Sequence, residues 1–159
     1  MGHHITAFIV KKDLARKVSA REPRLKSAPL RQGLALFPVS DELLDEVFPS
    51  TDGPDFPEML HLGGGFAGFL IELSGSGPVM YFWTEYLGGN GAQAAIVFKN
   101  GEVVYRGDSG EVKPMEQSKG PINAALGKMG ALSLVVFDRF DAVGLGKYRD
   151  TWDVLESLR

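Results

Sequence analysis

The stretch from Pro78 to Tyr105, PVMYFWTEYLGGNGAQAAIVFKNGEVVY, decides the fold. Val79 to Tyr86 is rich in aromatic and β-branched side chains, which suit a pleated surface, so it reads as a strand. Both alternating faces are apolar: Val79, Tyr81 and Trp83 on one, Met80, Phe82 and Tyr86 on the other. A strand apolar on both faces has to be covered on both, which places it centrally in a sheet. Ala92 to Phe98 reads as a second strand and Val103 to Tyr105 as a third. Lys99-Asn100-Gly101-Glu102 joins these two as a hairpin, because Asn and Gly accept the positive φ that a type I′ turn needs at both central positions. The first connection is Leu87-Gly88-Gly89-Asn90-Gly91. Taken as a symmetric loop, it sets Glu85 opposite Gln93, Trp83 opposite Ala95 and Tyr81 opposite Val97, large residues against small and a carboxylate against an amide.

Helices are expected around this meander. Asp13 reads as the cap of a helix carrying Leu14 and Val18, ended by Pro23. Ile5 to Val10 and Gly33 to Val39 read as strands. Ser40 caps the next helix, with Asp41 and Glu42 in its first turn and Leu43, Leu44, Val47 and Phe48 inward. PSTDGPDFP, from Pro49 to Pro57, reads as a mobile turn-rich loop. Phe66, Phe69, Leu70 and Leu73 recur at helical spacing. Gly120-Pro121 opens a further helix with Ile122, Ala125, Leu126 and Met129 on its apolar face. The segment 106–119 is polar and expected to be exposed, Leu132 to Phe137 reads as strand, and Asp138 to Arg149 is too glycine-rich for a regular element. Asp150 or Thr151 caps a last helix with Trp152, Leu155 and Leu158 inward. The fold class is therefore α+β. A single domain over residues 1–159 is expected, with a mainly antiparallel sheet centred on the 79–105 meander and four or five packed helices.

Composition narrows the function classes. Hydrophobic residues make up 44% of the 159, enough for a core, yet no apolar run is long enough to span a bilayer, so no membrane partner is expected. No charged-then-apolar leader appears, so a cytosolic protein is expected. The absence of cysteine removes disulfides, cysteine nucleophiles and thiolate metal sites. Charge is distributed unevenly. Residues 1–36 carry eight Lys or Arg and two acids, whereas residues 37–98 carry nine acids and no Lys or Arg. The basic region lacks interleaved aromatics, so nucleic acid is not an expected partner. The acidic region, with Asp41, Glu42, Asp45, Glu46, Asp52 and Asp55, reads as a surface that steers a basic protein.

No cofactor motif is complete. Gly89-Asn90-Gly91 lacks the third glycine of a dinucleotide fingerprint, and a strand follows it where a helix has to begin. Gly146-Lys147 lacks the first glycine of a P-loop. Gly107-Asp108-Ser109-Gly110 has no placed histidine and acid, and His61 before three glycines has no G-x-S-x-G elbow. His3, His4 and His61 have no metal-ligand spacing, so neither a metal nor a cofactor is expected.

Two constellations remain. One is Glu85 with Gln93, beside Gly89 and Asn90 in the glycine loop. A carboxylate on so apolar a strand has to be paired or sit at a rim. The other is Asp138, Asp141, Lys147, Arg149 and Asp150 on the irregular segment, charged groups on a loop. Arg149 pairing with Glu85 is expected to lower that carboxyl's pKa and bind the two loops together.

Three pieces, Y-F-W-T-E-Y-L-G-G-N-G-A-Q from Tyr81 to Gln93, G-P-I-N from Gly120 to Asn123 and F-D-A-V-G-L-G from Phe140 to Gly146, carry a resemblance. The chain resembles a family of small single-domain bacterial proteins without an assigned activity, some of which look like antitoxin or immunity partners of secreted toxins. Trp83 departs from the pattern, standing where a smaller or acidic residue is expected. The resemblance carries no activity over; the leading expectation, drawn from the block without Lys or Arg, is a non-catalytic binding protein of the bacterial cytosol, of immunity type, with its acidic surface on the partner. A small enzyme using Glu85 as acid or base and Arg149 as anion holder is the alternative. A homo-oligomeric scaffold joined through Trp83 or Trp152 is the third reading.

Overall fold

The computed structural model describes residues 3–57, 59, 61–87, 90–111, 121–131, 151, 154–155 and 158. Among them lie six strands: β1 (His3–Lys11), β2 (Ala28–Pro29), β3 (Leu34–Pro38), β4 (Val79–Leu87), β5 (Asn90–Lys99) and β6 (Glu102–Glu111). They form one sheet in the order β2-β3-β1-β4-β5-β6, and every neighbouring pair is antiparallel. Four helices accompany it: α1 (Lys12–Arg21), α2 (Asp41–Val47), α3 (Gly64–Leu73) and α4 (Pro121–Lys128). The architecture is α+β. Among the described residues no helix is long and apolar enough to cross a membrane.

Two-sided cover explains the apolar central strands. Val79 and Tyr81 join the core beneath α1, α2 and α3, where the rings of Phe8 and Phe37 stack at 4.7 Å and Phe66 meets Tyr81 edge-on at 5.7 Å. Met80 and Phe82 join the opposite core, which α4 and Val154 close. The helices start where local chemistry places them. Ser40 Oγ accepts from the Leu43 N–H at 3.2 Å and opens α2, and Pro121 opens α4. Asp13 is not a cap: α1 begins directly after β1 with Lys11 at the N-cap, and Asp13 sits in the first turn, near the positive end of the helix dipole.

The β4–β5 register differs from the symmetric-loop expectation by one residue. Leu87 pairs with Asn90, so only two residues separate the strands; Thr84 faces Gln93, Trp83 faces Ala94 and Tyr81 faces Ile96. Large still opposes small. Ala94 and Ala95 are adjacent and alike, so size complementarity alone fits either register. β6 runs on to Glu111, beyond the expected Tyr105, because pairing with β5 extends it through Arg106, Gly107 and Asp108. β2, a two-residue edge strand, has no signal of its own.

The β5–β6 turn matches its sequence. Asn100 and Gly101 have φ of 53° and 79°, and Phe98 pairs with Val103. Ser74 anchors it: the Asn100 N–H donates to the Ser74 carbonyl and the Gly101 N–H to the Ser74 hydroxyl, each at 2.9 Å. A Cβ on Gly101 meets nothing within 4 Å, so Gly101→Val carries the backbone cost alone. It is expected to destabilise by about 1–2 kcal/mol, read as a lowered urea midpoint; an unchanged midpoint contradicts the assignment.

The apolar run 132–137, the glycine-rich segment 138–149 and Trp152 lie outside the described residues. Thr151, Val154 and Leu155 are helical, but Thr151 lies within the helix instead of capping it and Val154 is buried where Leu155 is half-buried; the Thr151 hydroxyl accepts from the Thr6 N–H at 2.9 Å.

Candidate functional site

The acidic stretch becomes a shaped site through one loop. Asp41 and Asp45 stand one turn apart on α2 and so share a face. The chain then leaves α2 at Phe48 and returns to the start of α3 at Gly63. The segment expected to be mobile is tied along its length. Phe56 N–H donates to the Leu62 carbonyl, Gly64 N–H to Pro54 and Gly65 N–H to Ser50, at 3.1, 3.0 and 2.9 Å. Met59 and Leu62 are buried beneath it. Asp55 and Gly63 form an isolated antiparallel bridge, and a Cβ on Gly63 would lie 2.7 Å from Asp55 Oδ1. The loop therefore holds Asp55 against the mouth of α3.

These elements enclose a cavity of about 410 Å³. Its polar lining includes Asp41, Asp45, Asp55 and His61, with Ser50 and Thr51; its apolar wall is Leu44, Phe48 and Phe66. No lysine or arginine lines it. His61 Nδ1 lies 2.6 Å from Asp41 Oδ1, a contact that becomes an ion pair when the imidazole is protonated. His61 has a φ of 67°, a turn position two residues before the glycine run. Tyr81 is fully buried in the adjoining core. Burial pushes its phenol far above the ordinary value and the Asp41 charge adds to this, so it remains a protonated hydroxyl. Because the α3 amides of Gly64 and Gly65 are spent on loop carbonyls, the cavity is dominated by its carboxylates.

All six acidic residues singled out in the sequence are exposed, but they do not form one uniform surface. Arg24 donates to the Glu46 carbonyl at 3.2 Å and pairs with Glu22 at 2.8 Å. Hydrogen bonding to Arg24 lowers the Glu22 pKa, and the reciprocal bond raises that of Arg24. Arg21 pairs with Glu72 at 3.1 Å. The C-terminal end of α2 thus meets the basic region, while Asp41, Asp45 and Asp55 converge on the cavity, with Glu42 and Asp52 exposed on neighbouring turns.

The Glu85 constellation is not assembled as expected. The one-residue register shift puts Glu85 and Gln93 on opposite faces of the sheet. Glu85 is exposed, with His4 and Ala92 as its cross-strand neighbours. Gln93 is fully buried on the other face, and its Oε1 accepts from the Ile122 N–H at 2.9 Å, which ties β5 to the first turn of α4. Asn90 belongs to β5, opposite Leu87. Gly89, Asp141, Lys147, Arg149 and Asp150 lie outside the described residues, and with them the pairing of Arg149 with Glu85. Trp83 is half-buried against the core beneath α1, α2 and α3.

Two contrasting outcomes follow for stability. Gln93→Leu leaves a buried helix-start N–H without its acceptor and is expected to cost about 1–3 kcal/mol. Glu85→Gln, at an exposed position, is expected to stay within about 0.5 kcal/mol. Urea unfolding of both variants checks this, and the reverse ranking contradicts it.

Among the described residues no group of three or more His, Asp or Glu is placed to hold a metal ion. No family model matches the chain, and no curated protein or solved structure matches it either.

Proposed function

We propose that this chain is a non-catalytic binding protein whose acidic cavity takes a lysine or arginine side chain of a basic protein partner. The observation that carries this reading is the lining of the 410 Å³ cavity: three carboxylates at the rim over an apolar wall of Leu44, Phe48 and Phe66. A long cationic side chain has the same two parts, an aliphatic stem and a charged head. The molecule already accommodates guanidinium groups over aromatic rings: Arg21 lies 5.2 Å from the Phe69 ring centre and Arg106 lies 5.4 Å from that of Phe56. Glu42 and Asp52 extend the negative field outward, which favours encounter with a basic surface. The partner class this reading takes is a toxin or basic enzyme of the bacterial cytosol, whose cationic surface would meet the acidic cavity.

The test is retention of partners from native host extract by the immobilised chain, compared with a variant carrying Asp41→Asn, Asp45→Asn and Asp55→Asn. A basic protein held by the parent, released as salt rises and lost by the variant is the expected result. Equal retention by the variant, or retention of no basic protein, contradicts the reading.

A further inference from the structure

Among the residues lining the acidic cavity, His61 carries the one side chain whose ordinary titration falls between about pH 5 and 8. The turn that presents it is fixed from both sides. Met59 and Leu62 are buried, and the Leu62 N–H donates to the Met59 carbonyl at 3.0 Å, closing a turn with His61 inside it. Anchored backbone therefore brings the imidazole to Asp41, with Nδ1 2.6 Å from Oδ1. His61 itself is in the left-handed region at φ 67°, where a glycine is favoured. Its side chain is 41% exposed, so the ring adds little to the core in return for that backbone cost. Positions of this kind, held by the packing around them, gather at sites with a role.

The charges around the imidazole are negative. α2 contributes Asp41 and Asp45, and the loop contributes Asp55, with Asp52 exposed on the neighbouring turn. From the sheet, the Tyr81 phenol feels the Asp41 charge and stays protonated. Arg24 is held at the Glu46 carbonyl and Arg106 over the Phe56 ring, and neither lines the cavity. Protonation of His61 thus changes what the cavity offers. A neutral imidazole donates its Nδ1 hydrogen to one Asp41 oxygen and leaves three carboxylate charges uncompensated. An imidazolium cancels one of them, occupies Asp41 as an ion pair and meets any incoming cation with like charge.

We propose that His61 is a pH-sensitive competitor for the cavity: as an imidazolium it holds Asp41 and expels the partner's lysine or arginine head, and as a neutral ring it yields Asp41 to that head. This role, which rests on the cavity reading above, makes the hold conditional, so that a basic partner is kept at neutral pH and released in mildly acid solution. Guest and proton exclude each other, so affinity rises with pH through the imidazole range and is flat above it.

Calorimetric titration of the full chain with N-acetyl-arginine amide tests this at about pH 8 and about pH 5.5, both above the ordinary aspartate range and both below that of a guanidinium. The parent is expected to bind about fivefold to tenfold more tightly at the higher pH, the effect of one like charge a few ångströms away in a wet cavity. His61→Asn keeps a residue suited to the left-handed region and carries no charge, so it is expected to bind alike at both. His61→Lys, charged throughout, is expected to bind weakly at both. A measurement on the parent alone stands beside these: at about pH 6.5, binding is expected to release part of a proton, read as a heat that varies with the ionisation enthalpy of the buffer. Equal affinity of the parent at the two pH values, a pH dependence kept by His61→Asn, tight binding by His61→Lys, or binding without proton release at the intermediate pH each overturns the switch while leaving the cavity reading intact. No binding to the parent even at the higher pH overturns the cavity reading and the switch with it.

Discussion

Gly53→Ala is expected to destabilise the chain by about 3 kcal/mol and to open the acidic cavity. Gly53 has a φ of +146°, a region essentially closed to residues with a Cβ. A Cβ built there would sit 2.4 Å from the Gly64 carbonyl oxygen, a backbone atom that cannot swing aside. Because the Gly64 N–H also donates to the Pro54 carbonyl, displacing Gly64 disturbs both the loop and the start of α3. The urea midpoint is expected to fall by about 1.5 M at a typical slope. Gly33→Ala is the internal comparison: φ is +73°, but nothing lies within 4 Å of the added Cβ. Its cost is expected near 1 kcal/mol, from conformation alone. Equal midpoints for the two variants contradict the packing described around Gly53.

The second large effect concerns association. Asp41→Lys with Asp45→Lys and Asp55→Lys reverses the charge at the cavity rim, and all three positions are exposed. Binding to the captured basic partner is expected to weaken by about 100-fold or more, with a slower on-rate and a flattened salt dependence. The same reversal at Glu42 and Glu46 is expected to weaken binding several-fold less, because Arg24 already lies at the Glu46 carbonyl and neither residue lines the cavity. Stopped-flow association at two salt concentrations separates the pair. Equal losses from both sets make the acidic face a diffuse field without a central cavity.

What could be read from the residues divides by range. The Asn100-Gly101 turn, the Ser40 cap and the two apolar faces of β4 were legible because each depends on neighbours in sequence or on strand alternation. The β4–β5 register was not. Trp83 finds a small partner, Ala94 or Ala95, in either alignment, and the two-residue spacing between Leu87 and Asn90 decides it. That single shift sends Glu85 to solvent and Gln93 into the core, so a presumed pair becomes two unrelated residues. The extension of β6 through Gly107 and Asp108 was hidden as well, since poor strand formers are held there by pairing with β5.

The acidic cavity was half legible. Asp41 and Asp45 share a face by helical spacing, a signal present in the sequence. His61 and Asp55 reach the same cavity only because Met59 and Leu62 bury the loop and backbone bonds pin its return. No short-range pattern marks that closure.

Carboxyl-detected NMR during titration with N-acetyl-arginine amide, with the citrulline analogue as the uncharged control of similar shape, tests the central claim most directly. The account predicts saturable shifts at Asp41, Asp45 and Asp55 together, accompanied by the ring protons of Phe48, with arginine alone. Shifts of equal size at remote carboxylates such as Asp13, Glu85 and Glu102, or an equal response to citrulline, would contradict it.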